Sequence, residues 1–84
     1  MLEITEKILA SIHAIPMSYN EVSELPYLKN ISNFGINYSI ETLIKKNFIV
    51  EKINRQRRRY GTVVMSKYHA TKNGEKYLIE YGYL

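Results

Sequence analysis

At Asn47 the spacing of apolar residues changes from a helical period to a strand-like one. Before it, Ile4, Ile8, Leu9, Ile12 and Ile15 recur at spacings of 4, 1, 3 and 3, and Ile36, Ile40, Leu43 and Ile44 at 4, 3 and 1. Each set falls on one face of an α-helix. After it, Phe48–Asn54 and Tyr60–Tyr68 are rich in β-branched and aromatic residues, which suit a pleated, half-buried surface. A helical pattern does not sit as a strand, so the chain is expected to be α+β, with helices first and a strand pair behind them. Between the strands lies Arg55-Gln56-Arg57-Arg58-Arg59, read as a charged connector that makes the pair a hairpin.

Punctuation residues divide the helical half. Pro16 ends the first helix, because the residue before a proline is pushed out of helical geometry. Ser18-Tyr19-Asn20-Glu21 fits a capping box and opens a short helix with Val22 and Leu25 inward, limited by Pro26. Tyr27–Ser32 reads as a turn, with Asn30 and Ser32 both able to cap the next helix. That helix ends at Lys45-Lys46-Asn47, where the lysines complement the helix dipole and asparagine tolerates the left-handed cap. Thr71 is expected to cap a last helix from about Lys72 to Tyr81, with Tyr77, Leu78 and Tyr81 on its apolar face. Gly74 in its first turn reads as a mild cost.

With 84 residues and no cysteine, the chain has room for one domain, 1–84, and no disulfide or thiolate metal site to staple it. A chain of this length buries only about 60–65% of its unfolded surface, so tight packing or a second subunit must supply the rest, and a homodimer is the expectation. Hydrophobic residues at 45% exclude a disordered chain, and no apolar run approaches the ~20 residues of a membrane span. Glu3 and Glu6 at the start are unlike a signal peptide, so a cytoplasmic protein is expected.

The net charge of +4 is strongly segregated. Residues 1–44 hold five glutamates against two lysines, a balance of −3, whereas residues 45–84 hold ten basic residues against three glutamates, a balance of +7. A segregated excess makes a local positive field suited to a polyanion; a solvated charged face is the plainer alternative.

Two segments resemble a family. Leu43-Ile44-Lys45-Lys46-Asn47-Phe48-Ile49-Val50-Glu51 looks like a recognition helix running into a first wing strand, with Asn47 in place of the usual glycine. Tyr68-His69-Ala70-Thr71-Lys72-Asn73-Gly74-Glu75-Lys76-Tyr77-Leu78 is similar to the end of a wing and the start of a final helix. Together they resemble the winged helix-turn-helix regulators: compact archaeal, viral and plasmid proteins, and the DNA-binding parts of PadR-like and MarR-like repressors. The stretch from Pro26 to Gly35 departs from that pattern, being longer and richer in asparagine than the family's tight turn. The resemblance implies three helices, a two-stranded β-hairpin wing and a C-terminal helix. It also implies a sequence-specific regulator, a repressor acting as a homodimer, whose partner is double-stranded DNA.

In such a fold the third helix enters the major groove. With Ile36, Ile40 and Leu43 buried, its outer side presents Phe34, Tyr38, Glu41, Thr42 and Lys45, and Asn30, Ser32, Asn33 and Asn37 lie towards its N-terminal end. Asparagine pairs bidentately with adenine, although Asn30, Ser32 and Asn33 are equally suited to capping and turning the chain. Four arginines in five residues, Arg55, Arg57, Arg58 and Arg59, repel one another unless phosphate neutralises them; Lys52 and Lys67 flank them. Tyr77, Tyr81, Tyr83 and Leu84 form a C-terminal aromatic edge, read as the dimer contact and otherwise as the finish of a thin core. His13 and His69 stand with no cysteine in the chain and no acidic pair placed beside them, so no metal is expected. No nucleophile triad, phosphate loop or paired-carboxylate motif occurs, so no enzyme, cofactor or small-molecule ligand is expected. The alternatives are a module that binds RNA or an acidic protein, and a non-specific architectural DNA-binding protein.

Overall fold

The computed structural model describes residues 1–84. Helices α1 (Glu3–Ala14), α2 (Tyr19–Ser23) and α3 (Asn33–Lys45) precede an antiparallel pair, β1 (Ile49–Arg58) and β2 (Gly61–Ala70), and α4 (Lys72–Glu80) follows. A short 3-10 turn, Pro26–Leu28, lies between α2 and α3.

The helical stripes form the core with two corrections. Ile8, Leu9 and Ile12 of α1 are buried, but Ile15 is 63% exposed. It is the C-cap, and Pro16 holds it extended at φ −146° and ψ 123°, so its side chain leaves the stripe. On α3, Ile44 is 44% exposed, and Ser39 is buried in its place. Ile44 lies one helical step, about 100°, past Leu43, at the edge of the buried face. Ser39 is admitted because its hydroxyl accepts from Thr5 Oγ1 at 3.0 Å, which satisfies both buried groups.

Caps set the helix boundaries. Ser18 and Glu21 make the reciprocal capping box. Ser32, not Asn30, caps α3, accepting from Gly35 N at 3.2 Å. The stretch read as a plain turn carries a core residue: Pro26 starts the 3-10 turn and Leu28 is 2% exposed. Asn47 takes the left-handed cap at φ 60°. Phe48 N reaches Leu43 O and Asn47 N reaches Ile44 O, both at 2.9 Å, the paired bonds of a Schellman ending.

The hairpin is longer than expected. Its register runs from Ile49↔Ala70 to Arg58↔Gly61, leaving a turn of Arg59-Tyr60. Arg55, Arg57 and Arg58 are therefore strand residues rather than a connector. Arginine breaks no ladder, and the partners of these three, Val64, Thr62 and Gly61, include two β-branched residues that favour strands. Gly61, at φ 135°, absorbs the strain of closing the turn. Met17 also bridges the other edge of β2, exchanging backbone bonds with Tyr68, so the segment after α1 is tied to the root of the hairpin.

Thr71 caps α4, accepting from Gly74 N and donating to Asn47 O at 2.6 Å. Gly74 is no mild cost. A β-carbon there would overlap the Phe48 carbonyl oxygen, so only glycine lets α4 start against the entry to β1. One cluster of ten buried side chains joins α1, α2, α3, β1, α4 and Leu28. Beyond Ile49 all of β1 is exposed, and so is the distal half of β2, so the hairpin projects as a wing. Three helices, a wing and a closing helix make a winged-helix fold. No helix is long and apolar enough to cross a membrane.

Candidate nucleic-acid interface

Two surfaces carry the residues singled out in the sequence: the outer side of α3 and the wing. On α3, Phe34, Tyr38, Glu41 and Lys45 follow one another at spacings of 4, 3 and 4, so they stand in one row opposite Ile36, Ser39, Ile40 and Leu43. Phe34 is 81% exposed and Tyr38 57%. Asn33 and Asn37 are exposed beside the row, and Asn30 is exposed before the helix. Two polar candidates have structural work. Ser32 is the N-cap, and Thr42 is half-buried with its hydroxyl donating to Tyr38 O at 2.8 Å.

Strand alternation sorts the wing. Ile53, Arg55 and Arg57 point to the face that carries Ile49, while Lys52, Asn54, Gln56 and Arg58 point to the other. Arg59 lies in the turn, its guanidinium 5.8 Å from the Tyr60 ring. The molecule forms three ion pairs: Lys7 with Glu3, His13 with Glu75, and Lys67 with Glu21. None involves a wing arginine, Lys45, Lys46 or Lys52. The only acceptor that a wing arginine side chain finds is Gln56, which takes one bond from Arg58 at 3.0 Å. Clustered guanidinium groups without carboxylates repel one another until an anion arrives.

Lys67 differs from the rest. It stands 3.5 Å from Glu21, whose carboxyl is held below its ordinary pKa by the Ser18 backbone N–H and hydroxyl and then by this lysine. Its charge is thus partly committed to the body of the molecule. Lys52, its cross-strand partner, remains free, and the two border an open recess of about 300 Å³ with Asn54, Met65 and His69.

Tyr60 is the surface residue that the sequence reading missed. It is 94% exposed in the wing turn, and an aromatic directly after the arginine run was the available signal. The C-terminal tyrosines divide into two groups. Tyr77 and Tyr83 both donate to the Glu6 carboxylate, and burial followed by that bond pushes both phenols up. Tyr81 stacks on Tyr77 at 4.3 Å yet is 59% exposed, and Leu84 is 57% exposed. His13 is tied to Glu75 at 2.9 Å.

A winged helix with an unneutralised basic wing is the class of protein these features define. No protein-family model and no curated protein matches the sequence. Among solved structures, it is similar to a Thermoplasma acidophilum protein proposed to be a transcriptional regulator, with a TM-score of 0.67 at 21% identity. That match covers 92% of this chain and 74% of the other.

Proposed function

We propose that this chain is a regulator of transcription that binds double-stranded DNA, setting α3 in the major groove and the wing against the flanking backbone. The observation that carries this reading is the wing itself: four arginines without a carboxylate partner on a projecting hairpin that directly follows α3. Arginine matches phosphate geometry bidentately, and binding to phosphate removes the mutual repulsion of the cluster. Likeness to a proposed transcriptional regulator supports the same reading. In this proposal Arg55, Arg57, Arg58, Arg59 and Lys52 supply affinity, with Lys67 secondary. Asn33, Asn37, Tyr38, Glu41 and Lys45 face the bases with Asn30 at the entrance to the helix, while Ser32 and Thr42 mainly shape the helix.

The regulator acts as a repressor by occupying its site, as a homodimer with two α3 helices one DNA turn apart. Titration of duplex DNA at several salt concentrations tests the reading. Replacing Arg57, Arg58 and Arg59 with alanine lowers affinity for every sequence and reduces the slope of log K against log salt by about 0.9 for each phosphate that is no longer neutralised. An unchanged affinity and slope would overturn it. Selection from a random duplex pool then tests for a palindromic site.

A further inference from the structure

We infer that the outer row of α3 reads thymine, with Phe34 and Tyr38 packing on the 5-methyl groups that thymine presents in the major groove. This rests on the duplex-binding reading above and adds the base to it. Phe34 at 81% and Tyr38 at 57% exposure leave two large rings in water. An exposed apolar patch, unlike a lone exposed side chain, marks a surface that meets something. Neither ring stacks on another aromatic, and neither side chain caps or turns the chain. Helix α3 anchors to the core through Ile36, Ser39, Ile40 and Leu43, so its folding does not need them.

The chemistry of the row selects the base. Arginine or lysine reads guanine, asparagine reads adenine, carboxylate accepts from cytosine, and apolar carbon meets the methyl of thymine. The exposed side chains of the first two turns are Asn33, Phe34, Asn37 and Tyr38, with no basic group among them. That set lacks a reader for guanine and holds both partners of an A·T pair: Asn37 for adenine, and the rings one turn apart for thymine methyls. Basic groups without carboxylate partners stand at the other end of the helix, Lys45 and Lys46, and on the wing behind it. An apolar protein partner would match the rings alone, whereas a duplex matches the rings together with the positive charge at the end of α3 and on the wing.

The test uses the intact chain and two duplex pools of one A·T-rich random design, made with deoxythymidine or with deoxyuridine, which lacks only the methyl group. The wild-type protein binds the thymine pool more tightly, by about fourfold for each methyl packed against a ring, as expected for burial of one such group. Phe34→Ala loses the share of this preference that its ring supplies, keeps the share of Tyr38 and binds the uracil pool as the wild type does, while Phe34→Leu keeps part of the Phe34 share. Equal binding of the two pools by the wild type overturns the inference, and so does a Phe34→Ala protein that weakens on both alike. No binding to either pool overturns the duplex-binding reading itself, and this inference with it.

Discussion

A β-carbon at Gly74 would overlap the Phe48 carbonyl oxygen and approach Leu9 Cδ1 to 3.2 Å, and the same oxygen already accepts from Thr71 N at 2.9 Å. Helix propensity alone predicts that Gly74→Ala stabilises by about 1 kcal/mol. Overpacking against backbone costs about 1–3 kcal/mol, and this backbone is held by the Thr71 bond. The clash should win, and Gly74→Ala should lower the urea midpoint. A raised midpoint would show that α4 can shift away. Tyr77 gives a second prediction at this scale. An unfolded tyrosine titrates near 10, and burial followed by the bond to Glu6 raises the folded value above that. A raised pKa favours the protonated folded form, so the contribution is complete below pH ~10 and is lost as pH rises through the folded value. Urea midpoints should fall steeply above pH ~10. Tyr77→Phe should flatten that fall, leaving the smaller share of Tyr83, which is shifted in the same direction.

The elements were legible where one residue type has one physical use. Ser18, Thr71 and Asn47 are caps by chemistry, and the structure puts them there. Leu28, Ser39 and Met17 were not legible. Each owes its place to a distant partner: the core over the 3-10 turn, Thr5 on α1, and Tyr68 on β2. The end of the hairpin was hidden because arginine is neither a strand former nor a breaker, so pairing with Thr62, Val63 and Val64 decided it. The placement of the arginines in an outlying element makes a prediction about stability. They lie outside the buried core cluster, and only Arg58 and Arg59 have local side-chain partners, Gln56 and Tyr60. Replacing Arg57, Arg58 and Arg59 with alanine should change unfolding free energy by less than about 0.5 kcal/mol for each substitution, as exposed substitutions usually do. Thermal melting checks this, and a large loss would mean that the wing packs on the body.

At the scale of the whole molecule, exposed apolar side chains fall mainly in two regions, one with the basic groups of α3 and the wing and the other near the chain ends. The densest positive charge without acid partners, Lys45, Lys46, Lys52 and the four arginines, is on the end of α3 and the wing, whereas Leu2, Ile79, Tyr81 and Leu84, each between 57% and 61% exposed, lie near the chain ends. Tyr77 and Tyr83 already tie α4 and the C-terminal residues to Glu6 of α1, and Tyr81 stacks on Tyr77, so the exposed edge at Tyr81 has a fixed support. An 84-residue chain with ten buried core side chains has a thin core, and covering this edge with a second copy is the arrangement we propose for it. In the proposed dimer Tyr81 and Leu84 make the central contact, with Tyr77 and Tyr83 as its rigid backing. Sedimentation velocity over a wide range of concentration should then show a monomer–dimer equilibrium. Tyr81→Ala with Leu84→Ala should move it to monomer while the monomer keeps its helical circular dichroism. The melting temperature of the wild type should rise with concentration, because association stabilises only the folded chain, and that dependence should vanish in the double variant. A wild-type chain that sediments as a monomer throughout would leave the C-terminal edge as the finish of a thin core, and in the proposed duplex complex α3 would then be a single reading head.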